Sequence, residues 1–313
     1  MTGVLVAALQ VVVVAGGSPL LVGAMRQVRA RLEGRAGPGV AQPWRDLRKL
    51  LRKEPLTPRG TTEVFRLAPV LLMATTLVVA AVVPFLTNAT PLGPVADLFA
   101  VVALLSLGAV ALALAGIDTG TAFGGMGASR EVTIIALVEP TLLVAIFALS
   151  VRVGSTNLGD IVTSTLHDPA LVISPVSLLA ALAFAVAIIA ETGRLPVDNP
   201  ATHLELTMVH EAMVLEYAGP DLALVEWASA MRLAVFLGLL ANLFAPWGIA
   251  SLAGPLPVAV AVAALAGKVA VLGLALAVGE VFMAKLRLFR VPELLAGSFL
   301  LALLAVAASY FLA

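Results

Sequence analysis

The residues able to do chemistry are few and fall into two groups. Between Glu191 and Asp221 the chain reads ETGRLPVDNPATHLELTMVHEAMVLEYAGPD and carries eight acidic or histidine positions: Glu191, Asp198, His203, Glu205, His210, Glu211, Glu216 and Asp221. The second group, Glu139, Glu226, Arg232, Lys268 and Glu280, interrupts otherwise apolar runs. An ionisable group inside such a run is costly in lipid, so it faces a bundle interior, pairs with a partner or water, and marks an ion or proton path. Glu139, just before Pro140, and Glu226, well inside a run, are read as proton-path positions. Arg232, Lys268 and Glu280 fit a path or structural pairing equally.

Other chemistries fit poorly. His203 and His210 stand seven residues apart, a rise of about 10 Å on a helix, too far to share one ion without ligands from elsewhere. No metal site is expected. A nucleophile–base pair with a positioned third group, as acyl transfer needs, is not visible. The chain has no cysteine, which excludes thiolate-ligated iron–sulfur clusters, disulfides and Cys-based zinc sites. Any electron path must therefore run through partners. The segment GIDTGTAFGGMGASRE (116–131) is read as a Gly-rich turn that sets Asp118 and Arg130 beside the membrane and lets backbones approach closely. It lacks the strand and the Lys-Ser/Thr ending of a phosphate loop.

The elements that must position these groups are membrane spans. Of 313 residues 61% are hydrophobic and 12% charged, against roughly a quarter charged in a soluble domain. Eight apolar runs, near 2–24, 66–87, 95–116, 131–151, 171–190, 221–245, 256–280 and 291–312, are each about long enough to cross the hydrocarbon layer as a helix. The expected fold is an all-α integral membrane bundle of one domain, 1–313. The first run lacks a basic leader and a small-residue cleavage site and is read as a retained span. No internal repeat with paired broken helices, as in many transporters, is visible.

Basic residues give orientation. Of the 19 Lys and Arg, 11 lie between Arg26 and Arg66. Arg130, Arg194, Lys285, Arg287 and Arg290 lie in or beside later connections of the same side, whereas the opposite connections carry only Arg152. Positively charged loops are held in the cytoplasm, so the basic loops are expected there and both termini outside. Within 26–66, the stretch 42–54 is expected to form an amphipathic helix on the membrane surface: Trp44, Leu47, Leu50 and Leu51 recur at helical spacing among Arg45, Arg48, Lys49, Arg52 and Lys53. It serves as lipid attachment or as a docking floor for a peripheral protein. Asp198-Asn199-Pro200 reads as a helix start, which predicts a helix over 201–217 with His203, His210 and Tyr217 on one face and Glu205 and Glu216 on another.

Three segments, GRAGPGVAQPWRDLRKLLRKE, the run from Arg130 into EPTLL, and ETGRLPVDNPATHLELTMVHEAMVLEYAG, resemble one family over nearly the whole chain. It is the family of the respiratory complex I protein that links the hydrophilic arm to the membrane (mitochondrial subunit 1), with its relatives in formate hydrogenlyase and hydrogenase-4. The third segment is similar to the family's ExxRxPxD motif, acidic helix and EY. Complex I carries further glutamates after the motif's Asp, where this chain has Ala201, His203 and then Glu205; that departure and GGMGASRE resemble the hydrogenase branch.

The resemblance implies eight spans and a lateral amphipathic helix in a prokaryotic inner (plasma) membrane, beneath the large and small subunits of a [NiFe] hydrogenase and beside antiporter-like membrane subunits. It implies no cofactor in this chain, with the [NiFe] centre and iron–sulfur clusters in those partners, and no nucleic acid. The proton path it implies enters at Glu191, Arg194, Asp198 and Glu205 and runs into Glu139 and Glu226, with Glu216 and His210 in the same acidic segment. Arg45, Arg48, Lys49, Arg52, Arg130 and Arg194 would form the docking surface. A quinone-site subunit of a complex-I-like quinone oxidoreductase is the alternative within the family, and an independent secondary transporter or a purely structural anchor are alternatives outside it.

Overall fold

The computed structural model describes residues 2–88, 90–199, 207–250 and 254–311. Among these residues seven helices are long and apolar enough to cross a membrane: α1 (Thr2–Leu32), α3 (Glu63–Val82), α4 (Leu98–Asp118), α5 (Ala122–Val153), α9 (Gly219–Phe244), α10 (Pro255–Phe282) and α11 (Val291–Phe311). The eighth, α7 (Pro175–Glu191), has 17 residues, about 25 Å of rise, the lower end of what a span needs. Among the described residues there are also three short α-helices, α2 (Gln42–Leu50), α6 (Leu158–His167) and α8 (His210–Val214), and three single 3-10 turns. The described residues contain no sheet, only two isolated bridges, Thr87 with Ala250 and Asp97 with Asn157. Helix α9 packs against α1, α3, α7 and α10, while α5 packs against α4, α7 and α11.

Short polar side chains cap the starts of α3 to α7. The first N–H groups of a helix have no partner in their own ladder, and such side chains accept from them. Thr62 accepts from Val64 N, Asp97 from Phe99 N, Thr121 from Gly124 N, Asn157 from Gly159 N and Ser174 from Ser177 N.

Two buried amides serve backbone that breaks away from the helical ladder. Helix α3 ends at Val82, Val83 is extended, and the chain then bends through Phe85 and Leu86, both buried. Gln10, fully buried on α1, donates its Nε2 to Ala80 O and Val83 O at 2.7 Å each, and its Oε1 accepts from Phe85 N and Leu86 N. Asn242 of α9 donates to Pro84 O and Phe85 O at 3.1 and 3.0 Å. Without such partners each orphaned group would be costly in a water-free layer.

Pro19 inside α1 has a comparable consequence. Its ring nitrogen cannot donate to Ala15 O and its ring crowds that turn. The indole N–H of Trp227 on α9 donates to Ala15 O at 2.9 Å, and that of Trp44 on α2 donates to Gly16 O at 3.2 Å. The two rings meet edge to face at 5.5 Å. The surface helix is thus anchored to the disturbed turn of a span, aided by Gly23, where a Cβ would lie 1.9 Å from Val40 O.

Three local expectations are corrected. The segment 116–131 is mostly helix: only Thr119–Thr121 links α4 to α5. Gly120 takes φ +64°, and a Cβ on Gly124 would sit 2.4 Å from Gly116 O, so small residues permit a tight helical hairpin rather than an irregular turn. The amphipathic helix ends at Leu50 rather than 54; Leu51 is exposed, and Pro55 disfavours helix in the residue before it.

The third correction concerns 201–217. Residues 200–206, including His203 and Glu205, lie outside the described residues, and of the remainder only α8 is helical. Side chains claim the carbonyls a longer helix would use: Lys285 Nζ donates to Thr207 O at 3.0 Å and Arg130 Nη1 to Met208 O at 2.9 Å. Tyr217 leaves the line of α8 to stack on Phe65 at 4.1 Å, its hydroxyl donating to Phe65 O. Burial raises the Tyr217 phenol above its ordinary range, with Asp221 and Asp118 acting in the same direction, so it stays a donor.

Candidate functional site

The end of the bundle that carries the basic loop holds a charged chamber of about 670 Å³, walled by α1, α2, α9, the end of α10 and the segment 35–38. Gln27 folds that segment back: its Nε2 donates to Ala36 O at 3.0 Å and its Oε1 accepts from Gly39 N at 2.8 Å. Beside it Glu33 pairs with Arg35 and with Arg29 at 3.1 Å, and the two guanidiniums hold its carboxyl below the usual carboxylate range. A second cavity of about 120 Å³ shares the wall formed by Arg26, Arg194, Glu211 and Glu226 and reaches deeper, to Glu131, Glu191 and Arg232.

Three ion-pair nodes surround these cavities. In the first, Glu280 of α10, with a side chain 2% exposed, accepts from Arg194 at 3.3 Å and faces Arg29 of α1 at 3.6 Å. Burial pulls the Arg194 guanidinium below its ordinary range and Glu280 opposes that shift. In the second, Asp198 joins Lys285 at 3.0 Å while its carboxylate accepts from the backbone N–H of Asn199, Val209 and His210. Asp198 therefore caps α8 across eleven residues of sequence and ties the acidic segment to the connection after α10. Leu286 N donates to Pro196 O in the same place.

The third node lies within the bundle. Arg232 on α9 pairs with Glu191 at the end of α7, their side chains 7% and 4% exposed, and its Nη1 donates to Leu105 O of α4 at 2.8 Å. Gly108 makes the approach possible, since a Cβ there would stand 3.2 Å from Arg232 Nη1 and 2.7 Å from Thr75 Oγ1. Glu131 feels the charges of Glu191, Arg232 and Asp198, and Glu191 feels those of Arg232 and Glu139. Glu191 thus pairs with the guanidinium directly, while Glu131 and Glu139 act on that pair through their charges. One oxygen each of Glu139 and Glu191 is buried without a hydrogen-bond partner.

The sequence-derived site residues divide among these places. Glu191, Glu139 and Asp198 are held in or beside the nodes, while Glu226 is exposed at the wall common to both cavities. His210 lines the deeper cavity, its Nε2 3.4 Å from Ser229 Oγ. Glu216 is exposed, away from the cluster, and Glu205 lies outside the described residues. Of the basic residues read as a docking surface, Arg45, Arg48, Lys49 and Arg52 lie on and after α2, outside the nodes. Arg130 and Arg194 point inward, to Met208 O and Glu280. No group of three or more His, Cys, Asp or Glu placed to hold a metal occurs among the described residues.

Sequence reading missed Glu131, Arg26, Arg29, Gln10, Asn242 and Gly108. Glu131 had a usable signal, standing two turns before Glu139 at a spacing that keeps both on neighbouring faces of one helix. Gly108 had none, because its role exists only once Arg232 crosses from another helix.

The lateral helix, the eight spans and the charged chamber between them define a polytopic membrane subunit built around buried ion pairs. Residues 4–310 match the family described as NADH dehydrogenase, and the chain belongs to that family. It is 36% identical to formate hydrogenlyase subunit 4 of Escherichia coli (strain K12) over 300 residues, 95% of each chain. It is 35% identical to hydrogenase-4 component C of the same organism over 249 residues, 78% of this chain and 76% of that one. With NADH-ubiquinone oxidoreductase chain 1 of Petunia hybrida it shares 30% over 247 residues, 76% of this chain and 71% of that one. The fold matches a chain of the membrane-bound sulfane sulfur reductase, an archaeal respiratory membrane complex, with a TM-score of 0.82 over 99% and 100% of the two chains at 19% identity. The protein is a multi-pass membrane subunit of a complex-I-like complex.

Proposed function

We propose that the chain is the membrane anchor and proton- and energy-coupling subunit of a membrane-bound [NiFe] hydrogenase of the formate hydrogenlyase or hydrogenase-4 type. The observation that carries this reading is the 36% identity to formate hydrogenlyase subunit 4 over 95% of both chains, against 30% over 76% of this chain for the ubiquinone oxidoreductase relative. Arg45, Arg48, Lys49 and Arg52 then form the floor on which the hydrogenase module sits, on the cytoplasmic side, with both chain termini outside. Antiporter-like membrane subunits are its neighbours within the bilayer.

Protons enter through the chamber, where Glu226 and Glu211 meet water, and pass to Glu131, Glu191 and Glu139 around Arg232. A carboxyl paired with Arg232 and flanked by two others can pass a proton among them while the guanidinium keeps its counter-charge. Ion-pair nodes that link the acidic segment to α9 and α10 supply the mechanical connection between the docked module and the spans. The chamber itself favours the second reading in one respect: about 670 Å³ is room for a small molecule, so a quinone-site role in a quinone oxidoreductase is the competing assignment.

The test is gentle purification of the C-terminally tagged chain from native membranes, with assays for nickel, iron, hydrogen-dependent dye reduction and bound quinone. Nickel with hydrogenase activity is expected. A nickel-free complex whose electron flow is blocked by quinone analogues overturns the reading in favour of the quinone enzyme. A chain that arrives alone and moves an ion or solute in liposomes overturns it in favour of a transporter.

A further inference from the structure

Lys268, unlike Arg232, the other basic residue that interrupts an apolar run, belongs to none of the ion-pair nodes. It stands midway along α10, thirteen residues after Pro255 and fourteen before Phe282, so its Cα is about 20 Å from either end of the helix. Its Nζ donates to Asn242 Oδ1 at 3.2 Å, and no Asp or Glu among the described residues lies within ion-pair distance. Asn242 is itself neutral and already committed, its amide nitrogen holding Pro84 O and Phe85 O. An ammonium at this depth needs a counter-charge, which a neutral amide oxygen does not supply.

The surroundings of Lys268 are the part of the bundle this chain leaves most open. Only 17% of the apolar window of α10 is buried, against 67% in α9, and α10 exposes Leu256, Val260, Val271, Val278 and Phe282. Lys268 itself is half-buried among them.

We propose that this face of α10 is an interface with another membrane subunit of the same complex, and that a membrane-spanning helix of that subunit presents an Asp or Glu to Lys268 near the middle of the bilayer. The inference rests on the chain being one membrane subunit among several and is independent of which redox module docks above it. Exposed apolar side chains on both sides of Lys268 supply the packing surface, and the cation sets register and orientation. A mid-depth position excludes most soluble partners. The remaining competitor is a phospholipid whose phosphate reaches Lys268 by local thinning of the bilayer.

The absence of cysteine allows a direct test in the assembled complex. Val271→Cys, about one turn from Lys268 on the exposed face, is labelled with a benzophenone maleimide and irradiated in native membranes, in chains carrying Lys268, Lys268→Arg or Lys268→Gln. Gln keeps an N–H donor for Asn242 while removing the charge. The expected result is an adduct with another membrane polypeptide that persists with Arg and falls about tenfold with Gln, the loss of roughly one decade of association constant. Equal adduct yield with Lys and Gln overturns the proposal and leaves Lys268 serving Asn242 alone. Adducts with lipid only overturn it in favour of a phosphate. Chain abundance in the membrane fraction separates a failed interface from a failed fold, and the partner polypeptide is identified whether or not the complex contains nickel.

Discussion

The buried pair between Glu191 and Arg232 makes the sharpest demand on the fold. Both side chains are almost wholly buried, and the guanidinium also holds Leu105 O. Arg232→Met removes the cation, strands Glu191 and frees a carbonyl of α4. Breaking a buried pair from one side costs about 3–5 kcal/mol, because an uncompensated charge stays behind. Glu191→Gln leaves an amide oxygen for Arg232 but no counter-charge, a loss of the same order. Removing both partners together is far milder, since replacing a buried pair with uncharged groups of similar volume is often close to neutral. The double variant Glu191→Gln/Arg232→Met is therefore expected within about 1–2 kcal/mol of the parent, giving a coupling energy of about 4 kcal/mol or more. The assay is unfolding of the purified chain in mixed detergent micelles, followed by tryptophan fluorescence. Losses that add within about 0.5 kcal/mol would show the two residues to be independent and refute the pairing argument. If the double variant assembles with its partners but no longer couples hydrogen turnover to proton movement, the node carries protons as well as structure.

Four further outcomes are expected. Asp198→Asn removes a charged acceptor from three backbone amides and from Lys285, at about 1.5–3 kcal/mol per charge-assisted bond lost; hydrogen exchange at Val209 and His210 should accelerate, and unchanged protection would refute its capping role. Trp227→Phe leaves Ala15 O, freed by Pro19, with only the 3.4 Å hydroxyl of Ser18, and should destabilise the bundle by about 0.5–1.5 kcal/mol, seen as a lower thermal midpoint; Trp44→Phe should also loosen α2, seen as faster proteolysis after Lys49 or Arg52. Gly108→Ala should displace Arg232 and mimic the loss of its pair by about 1–3 kcal/mol despite adding one methyl group, and a neutral result would show the α3–α4–α9 contact to be pliable. Glu139→Gln and Glu226→Gln should assemble normally while lowering proton movement per hydrogen turned over, measured in vesicles; intact coupling would assign these residues a structural role alone.

Eight spans were legible from the sequence because hydropathy is a local property: a run of about 20 apolar residues has one stable arrangement in a bilayer whatever its neighbours do. Glu139, Glu191, Glu226 and Asp198 were legible for a related reason, since a charge in or beside such a run is conspicuous against its background. The short helices were less so. Amphipathic spacing placed α2 but not its end, and the pattern over 201–217 suggested a continuous helix where Arg130, Lys285 and the Phe65–Tyr217 stack claim the chain instead.

What the sequence determined by itself was therefore the membrane class, the number of spans, the surface helix and the roster of charged groups that need partners. Tertiary structure alone decided which partner each one has. Glu280 takes Arg29 and Arg194, Glu191 takes Arg232, Asp198 takes Lys285, and Lys268 is left with an amide. The physical reason is range. Hydropathy and capping act within a few residues, whereas these ion pairs join positions far apart in the chain, 41 residues for Glu191 with Arg232 and 86 for Arg194 with Glu280. For Arg232 the approach also needs Gly108, which lets the helices close.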